Sequence, residues 1–311
     1  MIEMVIDARR KDLGGFDVGR ILPFHARRMV GPFIFLDQMG PAEFAPGSEA
    51  INVRPHPHIG LSTLTYLFEG EIMHRDNTGA VQAVRPGEVN WMTAGKGIVH
   101  SERTTPTKRA EGGPMHGMQA WIALPGESED CEPSFHHYAG PDLPAYENAG
   151  LFARLVAGEA YGASARVKTA SPLFYVHWEL AEGVRTAPPP GKGAGGYSER
   201  ALYVAKGEIE VGDRTFHEGQ MIVLEPTAEP TIKAIRPSTV MVLGGEPIGP
   251  RVIWWNFVSS SQAKIDAAKA DWKAGRMALP VEDDVEFIPL PDVPSTPEPA
   301  PAVKPEPTHP V

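Results

Sequence analysis

The chain has 311 residues and a formal net charge of −10 at pH 7. That charge argues against direct binding of nucleic acid, because such binding needs clustered Lys and Arg side chains that neutralise phosphates. The length and a hydrophobic content of 42% predict two domains with sizeable cores. The 32 Gly and 32 Pro residues favour many short strands over long helices, so we expect an all-β protein.

The first residues of the chain are not expected to act as a targeting signal. Residues 1–7 lack a basic segment followed by an apolar stretch, and no run approaches the roughly 18 apolar residues that cross a bilayer. Cys131 is the single cysteine, so an internal disulfide is excluded. We therefore expect a cytoplasmic protein that does not bind membranes, in a reducing compartment where a reduced metal is available.

Two stretches of the chain repeat one pattern. A strand-like segment from Thr65 runs into a Gly-Glu turn and continues to Ile72, and the segment from Leu202 to Ile209 follows the same pattern 137 residues later. The Gly turn and strand after Arg85 are echoed 132 residues later. Two copies of strand, turn, strand, Gly turn and strand predict a duplicated small β-barrel. The alternative is a coincidence between two Gly-containing hairpins.

The duplication predicts how the chain divides. Periodicity breaks within residues 125–150, where Pro, Gly and acidic residues cluster. We predict an N-terminal metal-binding barrel over residues 1–140. A second, degenerate barrel with a helix is predicted over residues 141–287.

The end of the chain is predicted to be helical and then disordered. Ser260 or Ser261 can cap a helix that runs through Trp272 and ends at Gly275. Nine of the 24 residues in 288–311 are Pro, which neither a helix nor a central strand accepts. We expect this tail to be extended and disordered.

Two short motifs carry donor side chains at the same spacing. His56 and His58 lie two residues apart, so in an extended chain both point to one face. His100 and Glu102 repeat this spacing after the Gly-rich turn at Gly95. A barrel that brings the two strands together would direct three imidazoles and one carboxylate at one ion. Such a donor set without thiolate suits Fe, Mn, Ni, Cu or Zn, and it argues against a closed structural zinc centre.

The second copy of the pattern lacks these donors. The offsets place Gly193 and Gly195 opposite the first pair, and Ile232 and Ala234 opposite the second. The C-terminal barrel is therefore predicted to be metal-free and to brace the first site. The alternative is that the two same-face pairs are accidental. Six other histidines lack a second donor motif and are interpreted as ordinary hydrogen-bonded side chains: His74, His116, His136, His137, His177 and His217.

Longer motifs carry a family resemblance. They are RPHPHIGLST at 54–63, YLFEGEIMHRD at 66–76, WMTAGKGIVHSE at 91–102 and WNFVSSS at 255–261. With these motifs the chain resembles the pirin family over roughly residues 5–290. The resemblance implies two tandem cupin barrels and an N-terminal iron site bound by His56, His58, His100 and Glu102. General cupins place the glutamate shortly after the His-x-His pair, but Ser62 and Thr63 stand there in this sequence, so the carboxylate has to come from Glu102.

The resemblance also implies an activity. Pirins are associated with quercetin 2,3-dioxygenase chemistry, in which a flavonol-like ring is opened by O2 at a mononuclear Fe(II), with release of carbon monoxide. The expected small-molecule partners are an aromatic substrate such as a flavonol and O2. Glu102 would accept the proton of the substrate hydroxyl as the catalytic base if it detaches or loosens from the ion. The metal is Fe(II) by resemblance only, and Mn, Ni, Cu and Zn stay open.

Two other functions are weighed against the dioxygenase. The first is a non-enzymatic iron-binding protein whose redox state alters a surface that a protein partner recognises, which the acidic charge and acidic Pro-rich tail favour. The second is a cupin isomerase or sugar-binding protein, but no phosphate-binding arrangement is present. A barrel pair of this size is expected to be monomeric.

Overall fold

The computed structural model describes residues 1–12, 16–48 and 51–292. Most of the tail that the sequence predicts to be disordered, residues 293–311, lies outside the described residues. No helix in the described ranges is long and apolar enough to cross a membrane.

The first part of the chain is built almost entirely from strands. Helix α1 (Pro106–Glu111) lies between the tenth and eleventh of them. The strands are β1 (Ile2–Asp7), β2 (Arg9–Asp12), β3 (Asp17–Leu22), β4 (Phe33–Phe44), β5 (Asn52–His58), β6 (Leu61–Glu69), β7 (Ile72–Asp76), β8 (Val81–Val84), β9 (Val89–Thr93), β10 (Ile98–Thr104), β11 (Gly113–Ala123) and β12 (Ser134–Tyr138).

The second part adds thirteen strands in the described residues and ends in helix α2 (Gln262–Lys273). The strands are β13 (Ala145–Asn148), β14 (Leu151–Ala160), β15 (Ala163–Ser164), β16 (Leu173–Leu180), β17 (Arg185–Thr186), β18 (Glu199–Lys206), β19 (Glu208–Val211), β20 (Arg214–His217), β21 (Gln220–Leu224), β22 (Ile232–Ala234), β23 (Ser238–Gly245), β24 (Val252–Trp254) and β25 (Phe257–Ser259).

These strands form two barrels of the same topology. The first combines a large sheet in the order β12-β9-β6-β11-β4-β3-β2 with a small sheet in the order β5-β10-β7-β8. The second combines a large sheet in the order β1-β21-β18-β23-β16-β14-β13 with a small sheet in the order β17-β22-β19-β20. Strand β15 also pairs with β14 but is not part of this order. The predicted all-β class, with two tandem barrels and a C-terminal helix, is confirmed.

Each end of the chain crosses to the other barrel. Strand β1 pairs antiparallel with β21 and so completes the large sheet of the second barrel. The β24–β25 hairpin and α2 pack instead against the first barrel, where Phe257 and Ile265 join a cluster with Ile59 and Val99. The two barrels are therefore interlocked by their termini. The predicted boundary after residue 140 falls between β12 and β13 and stays a prediction.

The C-terminal helix begins where the sequence predicts. Ser261 is the N-cap residue of α2, although its side chain makes no capping hydrogen bond. The backbone of Gly275, just after the helix, has φ +66°, a conformation that favours glycine and ends the helix. Helix α1 was not predicted; the Thr105 hydroxyl caps it by accepting from Lys108 N.

Two hydrophobic cores dominate the interior. One joins the barrels and includes Tyr66 and Trp91 from the first and Tyr175 and Tyr203 from the second. The other fills the second barrel with aliphatic and aromatic side chains around Trp178. The interior of the first barrel is different, because it holds a cavity.

Candidate metal centre

Strands β5 and β10 bring three histidines together. They pair antiparallel, with His56 directly opposite His100, and His58 lies two residues along on the same face. The ring centroids are 4.4 Å apart for His56 and His100, and 5.0 Å apart for His58 and each of the other two. One nitrogen from each ring lies within 4.8 Å of the others, and all three side chains are buried.

The outer nitrogens of two of these rings are held by the backbone. His56 Nδ1 lies 2.8 Å from the carbonyl oxygen of Arg54, and His58 Nδ1 lies 3.1 Å from that of Asn256. Because a carbonyl only accepts, each Nδ1 carries the proton and each Nε2 presents a lone pair. His58 Nε2 is 3.1 Å from His100 Nε2. A divalent transition metal fits a set of inward-facing imidazole nitrogens of this kind.

Burial keeps these rings neutral. It lowers the pKa of His56 to about 4, and it lowers the pKa values of His58 and His100 well below the ordinary value for histidine. Neutral imidazole is the form that ligates metals. At neutral pH the three nitrogens are therefore ready to bind a cation without losing a proton.

Glu102 lies beside the three histidines and not among their converging atoms. The register of β10 against β5 shifts between His100 and Glu102, which pairs with Val53. Its Oε1 lies 3.1 Å from the Thr65 hydroxyl, and it lines the same cavity as the histidines. Burial raises the pKa of Glu102, and the neighbouring His74 and Thr65 offset only part of the rise. Its predicted role as the fourth ligand stays a prediction.

An aromatic wall flanks the histidines in a cavity of about 590 Å³. Trp121 stacks on Phe35 with ring centroids 4.0 Å apart, and its edge meets His58 at 5.0 Å. The Arg20 guanidinium lies 4.5 Å from the Phe35 ring and makes a two-pronged ion pair with buried Asp37. The wall therefore presents flat apolar surface close to the metal-facing nitrogens, and the Arg20–Asp37 pair packs against it.

The C-terminal part of the chain completes the cavity. Trp255 and Asn256, at the turn of the β24–β25 hairpin, line it, and Trp255 has φ +53°, which is rare for a bulky residue. Residues 280–292, here called the C-terminal strap, also reach it through Ile288 and Pro291. Ile288 N donates to the carbonyl oxygen of Pro55, beside His56.

Comparison with known proteins identifies the fold family. The sequence profile of the Pirin family matches residues 15–122, and that of the Pirin C-terminal cupin domain matches residues 175–278. The chain belongs to the pirin family. A pirin-like protein of Caulobacter vibrioides is 62% identical to this pirin over 294 residues, which cover 94% of the chain and 100% of the relative.

Solved structures of pirins and related proteins share the architecture. A crystal structure titled quercetin 2,3-dioxygenase, from Acinetobacter baumannii, matches with a TM-score of 0.84 at 32% identity and covers 94% of this chain and 96% of that chain. The nickel(II) complex of a bacterial pirin from Escherichia coli matches with a TM-score of 0.61 at 19% identity, covering 79% and 100%. Because its sequence identity is low, the match to the Escherichia coli protein shows only that the two proteins share a fold.

The second barrel of this pirin has apolar side chains where the first has histidines. Strand β22 takes the place of β10, and its Ile232 and Ala234 are fully buried in the core. The 132-residue offset finds the right strand but is two residues out of register, because Ile232 pairs with β19 as Glu102 pairs with β7. Strand β17, which takes the place of β5, pairs Thr186 with Ile232, whereas Gly193 lies in a 3-10 turn. Among the described residues, His56, His58 and His100 form the single cluster of three or more potential metal donors.

Sequence reasoning missed part of the pirin site. Gln119 and Trp121 line the cavity, and their spacing of two on β11 places both on one face, a signal that was present in the sequence. His74, interpreted as an ordinary side chain, is buried with its Nδ1 3.4 Å from His100 Nδ1. It also has a same-face partner that the motif search overlooked, Asp76.

Proposed function

We propose that the protein is a metal-dependent dioxygenase of the quercetin 2,3-dioxygenase type. It would hold one divalent transition metal, Fe(II) by family likeness, through His56, His58 and His100, with Glu102 as fourth ligand. The observation that carries the proposal is the convergence of three buried, neutral imidazoles inside a cavity with an aromatic wall. The match to a structure titled quercetin 2,3-dioxygenase supports the same activity.

The cavity residues suit a flat aromatic substrate. The stacked faces of Trp121 and Phe35 offer a surface for a planar ring, and the fixed pair of Arg20 and Asp37 holds that surface in place. Ile253 from β24 and Ile288 from the C-terminal strap add apolar walls that exclude water from the bound ring. A flavonol has the shape and polarity that this lining accepts.

Proton transfer is assigned to Glu102, whose carboxylate would have to detach or loosen from the metal to accept the proton. A bound metal would act as a Lewis acid on the substrate hydroxyl and leave coordination positions open for O2. The raised pKa of Glu102, caused by burial, makes its carboxylate a better proton acceptor than an exposed glutamate. The Thr65 hydroxyl, 3.1 Å from Oε1, holds the carboxylate while it accepts the substrate proton.

The proposal is tested by turnover of a flavonol. Protein loaded anaerobically with Fe²⁺ is mixed with quercetin and O2, and the flavonol absorbance and released carbon monoxide are followed. We expect stoichiometric carbon monoxide and loss of absorbance, both absent in His56→Ala. His217→Ala, which alters an exposed histidine of the second barrel, is the matched control and should keep full activity. Loss of absorbance no faster than in His56→Ala would refute the dioxygenase.

A second function uses the same site without turnover. The charge of −10 favours a basic protein partner, and the 62% identical relative carries a pirin-like name rather than an enzyme name. In this alternative the redox state of the bound iron changes partner affinity. Partner capture that differs between Fe²⁺-loaded and Fe³⁺-loaded protein, together with no flavonol turnover, would favour it.

A further inference from the structure

The outer nitrogen of each histidine in the cluster has a specific neighbour. For His56 and His58 that neighbour is a backbone carbonyl, which fixes the ring whatever side chains surround it. For His100 it is a side chain, because His100 Nδ1 faces His74 Nδ1 at 3.4 Å. His100 is thus the histidine whose orientation a side chain controls.

His74 is itself firmly held. It lies on β7, the other neighbour of β10, and its ring stacks on Phe135 with centroids 4.3 Å apart and an interplanar angle of 19°. Its Nε2 lies 2.7 Å from Asp76 Oδ2. The other oxygen of Asp76 accepts from the backbone N and hydroxyl of Thr78, at 2.8 and 2.6 Å. Asp76 therefore has one oxygen committed to the following turn and one directed at His74.

These contacts favour one arrangement of protons along the chain of rings. The Asp76 carboxylate only accepts, so His74 Nε2 carries a proton, and a neutral His74 ring then offers its Nδ1 as an acceptor. A neutral His100 that donates to it from Nδ1 keeps the lone pair on Nε2. That atom is the one 3.1 Å from His58 Nε2, whose lone pair also faces inward. Two facing lone pairs repel each other unless a cation lies between them.

We propose that His74, oriented by Asp76, is a positioning residue that fixes His100 with Nε2 facing the metal. This inference rests on the proposed metal site and goes beyond it, since it assigns a role to a residue outside the four ligands. His74 is not a fifth ligand, because Asp76 and His100 already engage both of its nitrogens. Outer partners that orient a ligating histidine typically change metal affinity by about 10–100-fold when removed.

Metal affinity and spectrum test the proposal without reference to turnover. Co²⁺ is titrated into metal-free protein, and its visible d–d absorption reports affinity and coordination geometry. His74→Phe keeps a ring to stack on Phe135 but removes the acceptor for His100, so we expect binding weaker by about 10–100-fold and a shifted absorption band. His74→Asn places an amide oxygen near the former Nδ1 and should bind more tightly than His74→Phe.

A second buried histidine of the chain supplies the matched control. His177 also donates to a carboxylate, with Nε2 2.8 Å from Glu179 Oε1, but it lies in the second barrel. His177→Phe removes an equivalent buried imidazole and should leave Co²⁺ affinity and the absorption band unchanged. Thermal unfolding of the metal-free variants shows that they are folded. If His74→Phe does not fold, His74→Leu, which also lacks an acceptor, replaces it.

The outcomes separate this inference from the proposed function. If the wild-type protein binds no Co²⁺, the metal site itself is wrong and the role of His74 is overturned with it. If the wild type binds Co²⁺ and His74→Phe has the same affinity and spectrum, the metal site stands and the positioning role is refuted. Weaker binding and a shifted band in His74→Phe alone, with recovery in His74→Asn, support the assignment.

Discussion

The two barrels share one strand order and use it in opposite ways. In the first, β5 and β10 are seven residues each and carry polar side chains into a cavity. In the second, β17 and β22 shrink to two and three residues, and the interior is packed with apolar side chains. The same scaffold therefore supports a reactive site in one copy and a filled core in the other.

The difference has an energetic cause. Burying three imidazoles and Glu102 around a cavity gives up apolar contacts and desolvates polar groups, which destabilises a barrel. The second barrel keeps those contacts, and the shared core around Tyr66 and Tyr175 packs it against the first. Strand β1 completes a sheet of the second barrel and the C-terminal hairpin packs against the first, so both ends of the chain connect the two barrels. A site with costly polar burial is thus supported by a neighbour whose core is packed with apolar side chains.

The strongest test of this comparison removes a proposed ligand from the first barrel. His100→Ala is expected to weaken Co²⁺ binding by at least about 100-fold, because it deletes a direct donor and not an outer partner. Isothermal titration of metal-free protein measures the loss. Unfolding of the metal-free protein should change little, since the side chain contributes polar burial rather than apolar packing. Retained affinity would contradict the proposed ligand set.

The equivalent strand of the second barrel should behave in the reverse way. Ile232 lies on β22, which takes the place of β10, and is fully buried among apolar side chains. Ile232→Ala is expected to lower the free energy of unfolding by about 2–5 kcal/mol, through lost transfer energy and a new cavity. Urea unfolding measures this, while Co²⁺ affinity at a concentration that keeps the variant folded should be unchanged. A loss of metal binding without a loss of stability would contradict the assignment of metal binding to the first barrel and of apolar stabilisation to the second.

A smaller effect is expected where the C-terminal strap meets the first barrel. Arg103, next to Glu102, makes a two-pronged ion pair with Asp283 at 2.8 Å and a further contact with Glu286 at 3.1 Å. Both Arg103 and Asp283 are largely buried, so the pair is less screened than a surface ion pair. Arg103→Gln is expected to lower the free energy of local opening of the strap by about 1–2 kcal/mol.

Amide hydrogen exchange of residues 280–292 measures that opening. Because Ile288 and Pro291 line the cavity, the KM of a substrate bound there should rise as the strap opens more readily. Lys96→Gln breaks an exposed ion pair with Glu132 on the same barrel and serves as the control, with no expected change in exchange or KM. Unaltered exchange in Arg103→Gln would show that the strap is held by its apolar contacts instead.

The sequence predicted the features that local patterns encode. The repeated turns were visible because Gly70 and Gly207 adopt positive φ, which the Gly at each position signals. His56, His58, His100 and Glu102 were found from alternation along a strand, and the structure brings the three histidines together.

What the sequence did not predict depends on contacts between distant segments. The partner of β1 is β21, more than 200 residues away, and no pattern within Ile2–Asp7 identifies it. The Asn256 carbonyl that fixes His58 likewise comes from a hairpin 198 residues further along the chain. His74 and Asp76 share the spacing of the other two motifs, but their role depends on β7 pairing with β10.

A similarly small effect is expected at the junction of the barrels, where two buried tyrosines can be compared. The Tyr66 hydroxyl of the first barrel lies 2.9 Å from His177 Nδ1 of the second. Burial raises the pKa of Tyr66 to about 12, so at neutral pH it keeps its proton and donates. Tyr175 is equally buried, but its hydroxyl has no hydrogen-bond partner among the described residues.

Removing each hydroxyl should therefore have opposite consequences. Tyr66→Phe leaves His177 Nδ1 without its donor and is expected to lower the free energy of unfolding by about 1–2 kcal/mol. Tyr175→Phe removes a buried polar atom that makes no bond, so stability should be unchanged or rise by up to about 1 kcal/mol. Urea unfolding of the two variants measures the difference. Equal losses in both would mean that packing alone joins the barrels, and that the Tyr66 to His177 hydrogen bond contributes nothing to their coupling.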